Sequence, residues 1–431
     1  MSHRTSRQLR VGAIARVEGE GALRVTVHEG RLDQVELNIY EPPRFFEAML
    51  RGRSYTEPPD LVARICGICP VAYQLTACQA LEAVCGVEVD GPLADLRRLL
   101  YCGEWISSHS LHIYLLHAPD FLGFPDAITL ATGHRDLVER GLALKKAGNA
   151  ILEQLGGRAI HPVNVRLGGF YRVPTRAELA PLAEQLRYAL DTALDTVRWA
   201  AGFDFPELDL QHELLALHDP AGYPIERGSL HTSSGLAFPA AEFGRHVVEE
   251  QVPHSTALHA TLDGRRYAVG PLARYSLNSA QLSPLAREAA TAAGLGPTCR
   301  NPFRSILVRG VEVVYAVDEA LRLIEGYQQP DRPYLEVPPR QGTGYGVTEA
   351  PRGVLYQRYD LAPDGLITAA DIVPPTSQNQ AAIQDDVSRV VAGSLHLDDA
   401  ALTALCEQTI RNHDPCISCA AHFLRLTVER S

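Results

Sequence analysis

No stretch of this chain approaches the roughly 20 consecutive apolar residues that a membrane-spanning helix needs. The N-terminal MSHRTSRQLR lacks the hydrophobic segment of a secretory signal, so a cytoplasmic protein without a transmembrane segment is expected. There is no low-complexity run and no internal repeat. With 46% hydrophobic and 21% charged residues, the composition excludes extended disorder, and 431 residues suffice for two or three lobes with sizeable cores. Basic residues are in deficit, 40 Lys and Arg against 51 Asp and Glu, and the net charge of −11 argues against nucleic acid as a partner. No glycine-rich nucleotide-binding motif is visible. Nine cysteines in so long a chain do not resemble a small secreted disulfide framework, which leaves metal or redox chemistry for those that occur in pairs.

The pairs are Cys66-Gly67-Ile68-Cys69 and Cys416-Ile417-Ser418-Cys419, near opposite ends of the chain. Two thiols three residues apart can grip one metal ion, but seldom complete its coordination sphere. A site using both pairs must therefore bring the two ends together. On spacing alone it could be a structural four-cysteine zinc site, an iron–sulfur site or a dithiol. The other five cysteines, Cys78, Cys85, Cys102, Cys299 and Cys406, lie in apolar or helical contexts and read as buried core thiols.

Between the pairs the pattern predicts a mainly α (α+β), multi-lobed fold. The stretches VGAIARV, ALRVTVHEG and LDQVELNIY alternate apolar and polar residues between Arg10 and Ile39, as in a small N-terminal antiparallel sheet. Helical spacing predicts a short helix over 46–51 and longer ones over 72–84, 92–118, 136–155 and 178–201, the long ones forming a buried bundle. Residues 203–275 read as mixed, with strand character around 265–269, followed by a helix over 312–328. Ala362-Pro363-Asp364-Gly365 is a hairpin turn between strands at 353–359 and 365–372, and helices over 379–392 and 398–412 deliver the second pair. This organisation divides into 1–60, the sheet and lead-in to the first pair; 61–202, the helical core; 203–345, a mixed α/β lobe; and 346–431, the hairpin and C-terminal helices.

The words around the cysteines are more specific than the spacing. Arg64-Ile65-Cys66-Gly67-Ile68-Cys69 and Asp414-Pro415-Cys416-Ile417-Ser418-Cys419-Ala420-Ala421-His422 resemble the two signature motifs of the large, catalytic subunit of nickel–iron hydrogenases. Ile14-Ala15-Arg16-Val17-Glu18-Gly19, Glu41-Pro42-Pro43-Arg44-Phe45-Phe46-Glu47, Gly52-Arg53, Ser108-His109 with His112, and His161 with Gly168-Gly169 follow the family order. Glu349-Ala350-Pro351-Arg352-Gly353 and Pro374-Pro375-Thr376-Ser377-Gln378-Asn379 complete the set, so the resemblance spans the chain. The wording is most similar to the soluble, NAD(P)-linked bidirectional hydrogenases also described as sulfhydrogenases.

The resemblance implies reversible heterolytic oxidation of H2. Cys66, Cys69, Cys416 and Cys419 would bind nickel, and Cys69 and Cys419 would bridge to an iron carrying carbon monoxide and cyanide. Glu18 would relay protons, Arg352 would overhang the open metal edge with Asp414 as its partner, and Pro375 and Thr376 would contact a cyanide ligand. Glu41 and His422 would hold Mg²⁺ or a similar ion, and His109 with His112 would be core histidines supporting the site. Electrons would leave through a small iron–sulfur subunit and pass to flavin- and NAD(P)-binding and iron–sulfur diaphorase subunits, and residues 423–431 could be a tail removed by a maturation protease. Tyr73 and Gln357 stand where relatives often carry His; both still hydrogen-bond, but neither titrates near neutrality. The rival readings are the related quinone-site scaffold subunit of respiratory complex I and a structural four-cysteine zinc protein.

Overall fold

The computed structural model describes residues 6–42 and 44–421. Its architecture follows from how each long helix is started and stopped. Helix α1, Pro70–Cys85, begins on Pro70, whose fixed φ suits a first turn, and its first-turn N–H groups at Val71 and Ala72, which have no intrahelical acceptor, donate to the buried carboxylate of Glu104 at 2.6 and 3.1 Å. It stops at Gly86, which takes the left-handed conformation at φ 72°. Helices α2 (Gly91–Leu111), α3 (Arg135–Gly156) and α4 (Arg176–Ala200) follow, the last opened by a Thr175/Glu178 capping box. Helix α5, Ser305–Glu325, is buried along almost its whole length and closes the bundle. Where α2 crosses α3 the backbones nearly touch: a Cβ on Gly148 would lie 2.6 Å from the Gly103 carbonyl oxygen. The expected helical bundle is thus present, packed by apolar faces worth about 1.5–3 kcal/mol for each large side chain buried.

Strands β1 (Ser6–Val11), β2 (Gly21–His28) and β3 (Arg31–Ile39) form the N-terminal antiparallel sheet. The first strand lies earlier than the sequence suggested. VGAIARV does not run on as a strand: Arg16 and Gly19 take positive φ, and the segment leaves the sheet to reach the C-terminal cysteines. The sheet packs on helices α6 (Pro375–Gly393) and α7 (Asp399–Asn412), where Leu23, Val25 and Leu37 share a core with Val387, Leu402 and Ile410. Burial of that common core joins the chain ends.

Strands β4 (Gly342–Ala350), β5 (Gly353–Leu361) and β6 (Ile367–Val373) form a meander. The second turn is the expected one, with Gly365 at φ 81° and its N–H bonded to the Ala362 carbonyl at 3.0 Å. Three further expectations needed correction. The helix over 92–118 is interrupted: α-geometry ends at Leu111, a π-helical segment covers His112–His117, and α-geometry resumes at Ala118. The helix expected from 312 begins a full two turns earlier, because Pro302 starts a 3-10 turn, Pro302–Arg304, that flows into it. Residues 203–275 hold more strand than the pattern revealed: Glu213–His218, Ser229–Thr232 and Ala237–Phe238 form a sheet with Tyr267–Ala268, and Val247–Gln251 pairs with Leu258–Leu262. Among the described residues no helix is long and apolar enough to cross a membrane.

Candidate metal centre

The two cysteine pairs meet. Cys66 follows a single 3-10 turn, Ala63–Ile65, whose Ala63 carbonyl accepts a bond from His161 Nδ1 at 2.7 Å. Cys69 caps α1, and the N–H groups of Ile68 and Cys69 point back at the Cys66 sulfur at 3.3 and 3.4 Å. Cys416 caps the short helix Ile417–Ala420, Cys419 lies within it, and the Cys419 N–H donates to the Cys416 carbonyl at 3.1 Å. Cys66 and Cys416 sulfurs lie 3.2 Å apart, Cys69 and Cys419 3.7 Å, and Cys416 and Cys419 3.1 Å. All four Sγ atoms fall within 4.8 Å of one another and are buried.

Arg44 staples this junction. Its Nη2 donates to the Ile65 carbonyl at 2.7 Å and also to that of Ser418, while its N–H donates to the Ala421 carbonyl at 3.0 Å. One guanidinium thereby ties the residue before the first pair to the residue inside the second. The sequence offered Arg44 only as a letter of a motif; nothing in its local pattern signalled this contact.

Glu18 reaches the centre through an isolated parallel bridge to Cys416, in which the Ile417 N–H donates to the Glu18 carbonyl at 2.9 Å. Its carboxylate Oε2 lies 3.1 Å from Cys416 Sγ and accepts the Ser418 N–H at 3.0 Å. Gly19 makes this approach possible: at φ 89° a Cβ there would sit 2.6 Å from Glu41 Oε2 and 2.7 Å from Ile417 Cβ. Glu41 accepts the Ser418 hydroxyl at 2.8 Å, on the outer side of the same turn. His422 lies outside the described residues.

Arg352 occupies the two-residue turn between β4 and β5 and projects to Asp414, donating from Nη2 to Oδ1 at 3.0 Å and from Nε to the Asp414 carbonyl at 2.7 Å. Both side chains are 2% exposed, so this ion pair is screened little by water. The turn is aimed from behind by Arg274, which donates to the Ala350 and Pro351 carbonyls at 2.7 and 2.8 Å. Pro375 starts α6, and the Thr376 hydroxyl oxygen accepts the Cys416 N–H at 3.1 Å, which leaves the hydroxyl proton free to face the centre. His109 pairs with Glu312 at 2.9 Å and His112 donates from Nε2 to the Arg411 carbonyl at 2.8 Å, so both are structural core histidines in contact with other residues. Tyr73 and Gln357 lie together: Gln357 Nε2 donates to the Tyr73 carbonyl at 3.0 Å. The five remaining cysteines are buried and unpaired, as expected.

The donor set fits nickel and iron. Four thiols this close and this buried cannot all ionise without a compensating charge, and burial pushes Cys419 upward. Only Cys66 is held well below the ordinary thiol range, by the S–H groups of Cys416 and Cys419 directed at it. A divalent ion bound by soft thiolates removes the conflict.

Fold and site together define a redox metalloenzyme whose centre is assembled from the two ends of one polypeptide. The sequence profile of the nickel-dependent hydrogenases matches residues 44–186. Sulfhydrogenase 1 subunit alpha of Pyrococcus furiosus is 34% identical over 96% of this chain and 97% of its own. The NAD-reducing hydrogenase HoxS subunit beta of Cupriavidus necator is 28% identical over 97% of this chain and 95% of its own. An NAD+-reducing [NiFe]-hydrogenase crystallised in the H2-reduced state superposes with a TM-score of 0.89 at 26% identity, over 97% of this chain and 100% of that one. The Ni-Fe-Se hydrogenase of Desulfomicrobium baculatum shares the fold, with a TM-score of 0.76 at 19% identity over 96% of this chain and 100% of that one. The chain belongs to the nickel-dependent hydrogenase family as a large, catalytic subunit, an oxidoreductase whose cofactor contains nickel and iron.

Proposed function

We propose that Cys66, Cys69, Cys416 and Cys419 hold the nickel, with Cys69 and Cys419 shared with an iron that carries carbon monoxide and cyanide. The observation that carries this is the buried quartet of sulfurs within 4.8 Å, with a carboxylate oxygen 3.1 Å from one of them. When bound, the nickel–iron group supplies reversible heterolytic cleavage of H2. The chain's own residues then handle the proton and the surrounding charge. A proton on Cys416 Sγ passes to Glu18 Oε2, which the Ser418 N–H holds in line. Beyond it, Glu41, bonded to the Ser418 hydroxyl, marks the side on which the proton leaves and on which Glu41 and His422 would hold Mg²⁺. Arg352, fixed by Asp414, keeps a positive charge at the open edge without needing to reorganise. The free proton of Thr376, beside Pro375, is suited to a cyanide nitrogen.

The electron route is read from relatives. Similarity to sulfhydrogenase alpha and to a subunit of an NAD-reducing hydrogenase supports a small iron–sulfur subunit as first acceptor, with flavin- and NAD(P)-binding diaphorase subunits beyond it, in the cytoplasm. Infrared spectroscopy of the purified complex tests the centre, since iron-bound carbon monoxide and cyanide absorb where no protein group does. In the same preparation Glu18→Gln should leave these bands and the nickel content intact while abolishing hydrogen–deuterium exchange with the gas. Full exchange in that variant would remove Glu18 from the proton route.

A further inference from the structure

Behind the Arg352–Asp414 pair lies a second arginine to which the reaction as described gives no task. Arg309, on α5 one turn before Glu312, is 1% exposed, and none of its three guanidinium nitrogens has a hydrogen-bond partner among the described residues. The polar atoms nearby share this condition. Asp414 Oδ2, Arg352 Nη1, both amide atoms of Asn412 and His112 Nδ1 are all buried and unpartnered. Two bonds bring them to one place. Ser305, one turn before Arg309 on α5, donates its hydroxyl to the Asn412 carbonyl at 2.7 Å, and His112 Nε2 reaches the adjacent Arg411 carbonyl at 2.8 Å.

Of the charges around Arg309, that of Asp414 favours its cation most, ahead of Glu312, while Arg352 and Arg274 oppose it. Burial pushes the guanidinium down to about 10, so it is still charged at neutral pH. A buried cation is costly without contact partners, and among the described residues no direct hydrogen bond to Arg309 offsets that cost. Asp414 has one oxygen occupied by Arg352 and one unanswered. The mixture of unsatisfied donors and acceptors around it is what enclosed water, able to do both, would bridge.

We infer that Arg309 is a second fixed cation of the metal centre, a positioning residue that acts through Asp414 and a bridging water to hold the Arg352–Asp414 pair and to raise the positive potential at the thiolates. This rests on the reading of the thiols as a nickel–iron site with diatomic ligands on iron. The test uses the intact purified complex carrying Arg309→Met, which removes the charge and keeps the bulk. With less positive potential, more electron density remains on iron, so its carbon monoxide and cyanide bands should move to lower frequency and the nickel midpoint potential should become more negative. Arg309→Lys should leave both near wild type. Asn412→Ala, which removes a neutral neighbour and keeps every charge, should shift both by less than Arg309→Met does.

A fully loaded Arg309→Met complex with unmoved bands and potential would overturn the inference, as would an equal shift in Asn412→Ala, since packing and not charge would then be responsible. If Arg309→Met does not take up nickel, Arg309→Lys decides: loading with wild-type bands supports the requirement for charge, and failure to load defeats it. Absence of the bands from the wild-type complex would count against the iron ligands and not against Arg309, for which the nickel potential would still decide.

Discussion

Arg274 and Arg309 are 0% and 1% exposed and both flank Glu312, yet among the described residues every N–H of the first is bonded and none of the second. Arg274 gives Nε and Nη2 to Glu312 at 2.9 Å each, Nη1 to Glu349 at 2.8 Å, and its remaining donors to the Ala350 and Pro351 carbonyls. It also lies over the Trp105 ring at 4.4 Å. This satisfied cluster is a rigid mount: it fixes the β4–β5 turn and so aims Arg352. The shell around Asp414 is built the other way, with donors and acceptors unmatched. Where hydrogen bonds between side chains are complete, the protein alone sets the geometry; where they are not, enclosed water must complete it.

The largest effect should come from breaking the satisfied side. Arg274→Met leaves two buried carboxylates, Glu312 and Glu349, without their common cation, and removal of one partner from a buried ion cluster costs about 3–5 kcal/mol. The guanidinium midpoint of the purified complex should fall accordingly. A loss below about 1 kcal/mol would mean that water or a neighbour replaces Arg274, and the rigid-mount account would fail.

Little of this contrast was legible in the sequence. The two cysteine pairs, the Ala362–Gly365 turn and the long bundle helices were, because each rests on local chemistry: thiol spacing, a proline–glycine turn, apolar residues every three or four positions. Nothing in the local pattern singles out Arg274 or Arg309, since burial of an arginine depends on what packs over it from distant parts of the chain. Glu104 was invisible for the same reason; its carboxylate serves α1, more than thirty residues earlier in sequence. The π-helical segment at His112–His117 has no pattern of its own, and the short strands within 213–262 alternate over too few residues to stand out.

A smaller effect should appear with pH. Burial holds His109 down at about 4, although Glu312 faces it at 2.9 Å. As pH falls below the ordinary histidine value of about 6.5, the unfolded chain therefore takes up this proton first. The stability that His109 contributes is complete above that value and is lost as pH drops toward 4, by at most about 1.4 kcal/mol per pH unit. Glu349, raised to about 7 by burial, runs oppositely, since its stabilising neutral form is lost as pH rises from about 4.5 through 7. Glu312 is displaced below the carboxylate range, as Arg274 outweighs burial there, and enters only below about 4.5. The difference between wild type and His109→Gln, taken as denaturation midpoints from pH 7.5 to 5, thus isolates His109 as a slope present in the first and missing in the second. Parallel curves would mean that His109 takes up its proton as readily in the fold as in the unfolded chain, and that the cluster is less dry than its burial indicates.

The smallest expected change sets the two kinds of environment side by side within one contact. Gln357 is satisfied: its Nε2 donates to the Tyr73 carbonyl at 3.0 Å and its Oε1 accepts the Tyr359 hydroxyl at 2.7 Å. Tyr73, against it, has a buried hydroxyl with no nitrogen or oxygen partner among the described residues, and the thiols of Cys419 and Cys69 act on it. Gln357→Leu would strand the Tyr359 hydroxyl and should cost about 1–3 kcal/mol. Tyr73→Phe removes a group that no oxygen or nitrogen answers, so its cost should stay below about 1 kcal/mol. The pair of midpoints measures how far the unmatched state extends from the Asp414 shell to the opposite side of the sulfurs. Were Tyr73→Phe as damaging as Gln357→Leu, the hydroxyl would be firmly bonded to sulfur, and the unmatched region would end at the Arg352 side of the centre.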